Sequence, residues 1–134
     1  MLEYFKPRIN EDCKDYYEAM QHDRLIVQQC SSCGALRAPG ARFCPECLSD
    51  KTNDMQVESR GKVYSFVIFH KAFADELNMD IPYVCAIVEL DCGVKIITNI
   101  IDCDIHNIVC GQPVVGVFFD MADSYQILRF KLVV

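Results

Sequence analysis

The sequence predicts a mainly β protein: a short N-terminal helical segment, a small metal-binding ribbon, and a five-stranded barrel. Two observations carry that expectation. Residues 30–49, CSSCGALRAPGARFCPECLS, hold two C-x-x-C pairs ten residues apart. From Gly61 onward, five runs rich in β-branched and aromatic side chains follow one another, with turn residues between them and no long helix.

The composition agrees with a folded chain of this kind. Of 134 residues, 51% are hydrophobic, enough to build a core. No apolar run approaches the ~20 residues of a spanning helix. The first fifteen residues, MLEYFKPRINEDCKD, are too charged for a signal peptide. The expectation is a soluble, cytoplasmic protein with no membrane insertion. Nine cysteines in that setting point to metal or to packing before disulfides. The net charge of −6 divides as −2 over residues 1–24, zero over 25–60 and −4 over 61–134. No section is basic, which counts against nucleic acid, whose binding leans on neutralising phosphates.

Taken in order, residues 10–23 place Cys13, Tyr16, Tyr17 and Met20 at i, i+3, i+4 and i+7, one apolar stripe on a helix. Asn10 is the expected N-cap, with acids in the first turn where the helix dipole favours them. His22 falls in the last turn as a surface histidine. Residues 25–60 have too few large apolar side chains for an independent core, so a unit this small needs a staple. A tetrahedral zinc site wants four soft ligands, and each C-x-x-C turn brings two thiolates to one metal. Cys30, Cys33, Cys44 and Cys47 satisfy that requirement. Iron in a rubredoxin-like site is the alternative with the same ligands. With four protein ligands no position stays open for substrate, so the metal is expected to be structural.

The strands are expected at 62–70, 83–90, 94–100, 114–120 and 125–133, with a hairpin turn at Asp91–Gly93. Asp104 can cap one helical turn between the third and fourth strands, closed by Gly111. A helical element at that place in a five-stranded barrel suggests an OB-fold. The division that follows is 1–24, helical segment; 25–60, zinc ribbon; 61–134, OB-fold domain. Strict alternation along the first strand puts Val63, Val67 and Phe69 on one side and Tyr64, Phe66 and Ile68 on the other. A small barrel has one interior, so its outward apolar residues must be covered by the N-terminal sections or by another protein, a further copy included.

Catalytic patterns are sparse. There is no G-x-S-x-G, no glycine-rich phosphate loop and no H-x-x-x-H. Cys13, Cys85, Cys92, Cys103 and Cys110 have no metal-ligand spacing; Cys85 lies inside a strand as a core residue and Cys92 in a turn. His70 ends the first strand beside the 71–82 loop, where it can face a ligand; His106 has no partner pattern.

The ordered motifs resemble a known family. A C-x-x-C-G…C-P-x-C ribbon precedes Gly61, Val63, Tyr64 and Ser65 of a G-x-V-Y-S strand, then His70. Pro82, Tyr83, Ala86, Val88, Glu89 and Leu90 follow, and Gly111, Pro113 and Val114 form a late turn. This order is similar to that of the OB-fold, acyl-CoA-associated proteins with a rubredoxin-like zinc ribbon, across nearly the whole chain. The resemblance implies a non-catalytic accessory subunit of a thiolase-like, hydroxymethylglutaryl-CoA-synthase-like or hydratase enzyme. It further implies that the OB domain helps accommodate the pantetheine arm of a coenzyme A thioester. The residues expected at that ligand or partner face are Tyr64, Phe66, His70, Phe73 and Tyr83. The chain departs from the family in being acidic: Lys71, Lys95, Arg129 and Lys131 are the few cations available for coenzyme A phosphates. Two other functions fit parts of the pattern. Tyr64, Phe66, Phe69 and Tyr125 could stack on bases in a single-stranded nucleic-acid module, and His70 with the 71–82 loop could serve a thioester-processing enzyme.

Overall fold

The computed structural model describes residues 8–71, 81–121 and 125–133. A single helix, α1 (Lys14–Met20), precedes eight strands: β1 (Leu25–Cys30), β2 (Leu36–Arg37), β3 (Thr52–Val57), β4 (Arg60–Phe69), β5 (Tyr83–Leu90), β6 (Lys95–Ile100), β7 (Pro113–Met121) and β8 (Tyr125–Leu132). The first three strands form an antiparallel sheet in the order β2-β1-β3, and the other five close into a barrel in the order β4-β5-β6-β8-β7. The protein is thus mainly β, with a ribbon ahead of an OB-type barrel.

The helix is shorter than its apolar stripe. Its N-cap residue is Cys13, which makes no side-chain cap bond. Asn10 acts one turn earlier: its Oδ1 accepts the N–H groups of Asp12 and Cys13 at 3.0 and 3.1 Å, holding the turn that leads in. Ala19 and Met20 are buried, and α1 packs on β1 and β8. Between β6 and β7 the expected helical turn is a single hydrogen-bonded turn, and Gly111 bonds across to β4 instead of closing it. Asp104 accepts the His106 N–H at 3.0 Å, and Gly111, at φ +90, donates to the Val63 carbonyl at 2.7 Å.

Strand β5 alternates without interruption, sending Val84, Ala86, Val88 and Leu90 into the barrel. The first barrel strand does not. Val63 pairs with Val88 and Ser65 with Ile87, so Tyr64 is an extra residue at a β-bulge. The bulge shifts the phase of everything after it. Val63 is buried, and Phe66 and Ile68 pack on the same core, whereas Tyr64 and Val67 are half exposed. The expected grouping of Val63 with Val67 and Phe69 is therefore corrected, because alternation cannot run through an inserted residue.

The seam between β6 and β8 is the weakest closure. These strands share one parallel pair, Ile100 with Phe130. Three carbonyls on that edge of β8 find other partners. Phe130 accepts from the Ile101 N–H at 2.9 Å, Leu128 from the Thr98 hydroxyl at 3.3 Å, and Gln126 from the Gln21 amide at 3.1 Å. The Gln21 Oε1 accepts the Gln126 N–H in return at 3.2 Å. A helix side chain and a strand hydroxyl thus replace missing ladder bonds. One core cluster runs from Met20, Leu25 and Val27 to Val88, Leu128 and Phe130, joining the ribbon base to the barrel.

Candidate metal centre and docking face

Each C-x-x-C pair sits in a tight turn of the same design. The Gly34 N–H donates to the Cys30 carbonyl at 2.9 Å, and the Leu48 N–H to the Cys44 carbonyl at 2.8 Å. The Cys30 N–H reaches Ala35 O and the Cys44 N–H reaches Ser49 O, both at 2.9 Å. The fourth residue after the leading cysteine is left-handed in both turns: Gly34 at φ +80 and Leu48 at φ +65. Glycine takes that conformation freely, while Leu48 takes it at a cost of roughly 1–2 kcal/mol.

The four sulfurs lie within 4.8 Å of one another. Cys30 Sγ is 3.5 Å from Cys47 Sγ, and Cys33 Sγ is 3.6 Å from Cys44 Sγ. A tetrahedron with metal–sulfur bonds of ~2.3 Å has edges of ~3.8 Å, so the cage fits a zinc-sized ion. Its electrostatics agree. Backbone N–H donation from Cys33 pulls Cys30 down to about 6, and donation from Cys47 and Glu46 lowers Cys44. Cys33 and Cys47 also accept backbone N–H groups, but the neighbouring sulfurs outweigh these and raise both. Four thiolates this close ionise together only around a cation. Arg37, buried under the ribbon, braces the span between the turns through Gln28 Oε1 at 3.1 Å and Ala41 O at 3.3 Å.

The outer surface of β4, β5 and β6 gathers part of the expected ligand set. Phe69 pairs with Tyr83, and their rings stack with centroids 5.0 Å apart. Val67 pairs with Cys85, and Ile87 joins Ser65 to Ile97. Tyr64 is 50% exposed, Val67 54% and Ile97 77%. The Lys95 ammonium lies 4.2 Å from the centre of the Tyr64 ring. Phe66, by contrast, packs on the core. His70 is exposed at the end of β4, and Phe73 lies outside the described residues. Cys85, expected in the core, is half-buried beside Val67. Of the cations considered for coenzyme A, Lys131 pairs with Asp102 at 3.2 Å.

A cleft of about 240 Å³ opens beside this face, between α1 and the β6–β8 seam. Tyr16, Tyr17, Met20, Ile97, Thr98 and Arg129 are among its walls. Burial, with Tyr17 nearby, pushes the Tyr16 phenol up to about 12, and burial pulls Arg129 down. Sequence reasoning placed no site here. The one signal was an arginine inside the apolar run YQILRFKLV.

Ribbon and barrel together define a class: small proteins with a rubredoxin-like zinc ribbon ahead of an OB-fold. Residues 18–53 match the family described as the ChsH2 rubredoxin-like zinc ribbon domain, and residues 55–119 the ChsH2 C-terminal OB-fold domain. A DUF35 domain-containing scaffold protein of Methanothermobacter thermautotrophicus is 31% identical over 82% of this chain and 83% of its own length. The chain belongs to this DUF35 family. A probable enoyl-CoA hydratase alpha subunit of Thermomonospora curvata is 36% identical over 82% of this chain, which spans only 34% of that protein. A chain of the solved Ltp2-ChsH2(DUF35) aldolase superposes with a TM-score of 0.85 at 32% identity, covering 96% of this chain and 100% of that one. Among the described residues no helix is long and apolar enough to cross a membrane.

Proposed function

We propose that this chain is a non-catalytic accessory subunit that docks on an acyl-CoA enzyme of thiolase-like, aldolase or hydratase type. The carrying observation is the outer β4–β5–β6 face. Tyr64 and Val67 on β4 and Ile97 on β6 are half or more exposed, and Cys85 and Ile87 of β5 lie between them, an apolar patch that in water marks an interaction surface. Relatives whose names place them in a hydratase and an aldolase support an enzyme as the partner. In this reading the ribbon holds zinc as a staple and the protein works in the cytoplasm. Tyr64, Tyr83 and His70 stand where a coenzyme A thioester bound mainly by the partner would pass. The sections 1–24, 25–60 and 61–134 act as clamp, staple and docking barrel.

The test is co-expression with thiolase-like, aldolase and hydratase proteins of the same organism, followed by size-exclusion chromatography with light scattering. One of them co-elutes with the wild-type chain, and Val67→Glu with Ile97→Glu abolishes co-elution while the circular dichroism of the free chain is kept. A wild-type chain that elutes alone beside every such enzyme refutes the reading.

A further inference from the structure

Arg129 is a partly buried cation for which the described residues supply no counter-ion. It lies on β8 in the cleft between α1 and the β6–β8 seam. Its Nη1 donates to the Leu128 carbonyl at 3.1 Å, a bond within its own strand. Among the described residues no carboxylate lies within ion-pair distance of it; the pairs that do form join Lys62 to Glu89 and Lys131 to Asp102. The ionisable groups close enough to act on it are Tyr16, Cys85 and Tyr17, none of them a carboxylate. A guanidinium offers five donors in a planar fork matched to a carboxylate. Half-burying that fork without a counter-ion costs solvation and returns nothing within the chain.

We propose that the cleft is the anchor pocket of the docking face and that Arg129 there receives an acidic side chain of the partner protein. The proposal rests on the accessory-subunit reading and names the contact that would dominate it. Three observations favour a protein carboxylate. At about 240 Å³ the cleft is below the ~300 Å³ at which small-molecule sites begin. Ile97, at its lip, also belongs to the apolar face, so one surface would cover both. Tyrosine and arginine in a desolvated pocket beside an apolar surface make the usual centre of a protein interface. The charge also fits. On β4, β5 and β6 the charged residues are Arg60, Lys62, Lys95 and Glu89, with Arg129 on β8 at the cleft and Lys14, Asp15 and Glu18 on α1, so these strands carry more cations than acids in a chain of net charge −6. A second copy presenting the same face would set cation against cation.

Two measurements test this. In the first, the free full-length chain is titrated with hexanoate, a carboxylate on an aliphatic stem, while the Arg129 Nε–H and Ile97 methyl signals are followed by NMR. Both shift with an affinity in the millimolar range; hexylammonium leaves them still, and Arg129→Gln loses the response. Absence of any Arg129 shift, or micromolar binding that makes the cleft a small-molecule site, overturns the proposal. In the second, the enzyme that co-elutes with the wild-type chain is titrated against variants. Arg129→Gln and Arg129→Glu weaken the complex by about 30-fold or more, and Arg129→Lys, which keeps the charge but loses the fork, by less. The free chain carrying Arg129→Met melts no lower than wild type, because an unpaired cation is removed from a half-buried place. Lower melting would make Arg129 a structural residue and overturn the proposal. Wild-type binding equalled by Arg129→Glu defeats this inference alone, whereas a wild-type chain that binds no enzyme defeats the accessory reading beneath it.

Discussion

Gly61 sits where the barrel closes, and an alanine there should open it. It pairs with Leu90 on β5 and with Val114 on β7, so strands flank it on both sides. A Cβ added at Gly61 would fall on the Glu89 carbonyl oxygen, 2.8 Å from the carbonyl carbon and 2.9 Å from Leu90 Cα. These are backbone atoms, and no rotamer change relieves the clash. The strands must part by roughly 1 Å to reach ordinary contact, which loosens about two neighbouring ladder bonds at ~1 kcal/mol each. One of those at risk is the Asp91 N–H to Arg60 carbonyl bond of 2.9 Å. Strain from overpacking adds about 1–3 kcal/mol, and the stiffer unfolded chain returns about 0.4–1 kcal/mol. The net loss is about 3 kcal/mol, a large share of the ~5–15 kcal/mol that holds a domain. Urea unfolding followed by far-UV circular dichroism should show the midpoint falling in proportion, with a melting temperature roughly 10 °C lower. Gly116→Ala should cost less, since its Cβ meets mainly side-chain atoms of Ser59 and Leu128. A Gly61→Ala protein within about 0.5 kcal/mol of wild type would refute the reasoning.

Other residues give sharper local readings. Thr98→Val should cost about 0.5–1.5 kcal/mol in urea unfolding, because the Leu128 carbonyl loses the Thr98 hydroxyl at the β6–β8 seam and keeps only the Arg129 guanidinium. Leu48→Gly should stabilise the ribbon by about 0.5 kcal/mol, as relief of the left-handed conformation exceeds the added chain entropy; a loss measured by amide exchange would deny it. The Asp54 carboxyl is raised by burial and by Asp15 beside it, so its contribution to stability is present at low pH and fades as pH rises through its folded pKa. Asp54→Asn should therefore raise the melting temperature at pH 7, with the gain vanishing at the acid end of the carboxylate range. Removing the metal with a strong chelator should abolish amide protection around residues 30–50 while β5 and β6 keep theirs; equal protection with and without chelator would show that the cage is not a staple.

Much of the architecture was legible because it rests on local chemistry. The cysteine spacing declares a four-sulfur cage, and β5 and β6 alternate so cleanly that their inward faces follow from the residue order. What stayed illegible depends on one inserted residue or on distant pairing. Nothing in RGKVYSFVIF marks Tyr64 as the bulge, since the bulge is defined by Val88 and Ile87 on another strand. Its effect is large: Phe66, expected at the ligand face, turns to the core, and Val67 turns out. Gln21 reads as an ordinary helix residue, yet it serves both backbone groups of Gln126, 105 positions away. The Arg129 cleft is hidden for the same reason, as its walls come from α1, β6 and β8.

The acidity that set this chain apart becomes useful once its charges are located. Glu11, Asp12, Asp15, Asp50 and Asp54 line one cleft of about 420 Å³, where α1 meets the ribbon. Tyr17 and Arg129 belong to the other cleft, where α1 meets the barrel seam, and Tyr16 lines both. The first cleft is thus strongly acidic, and among the described residues the one charged group lining the second is Arg129. At an ionic strength of 0.1 M charges act over ~10 Å, enough to turn an approaching partner before contact. A protein surface bearing carboxylates is repelled from the acidic cleft, while Arg129 and Lys95 favour its approach to the strands where Ile97 and Val67 offer apolar area. Net charge alone would forecast poor binding to any anionic surface. The fold qualifies that forecast by gathering acids at one cleft and leaving Arg129 with no described carboxylate at the other.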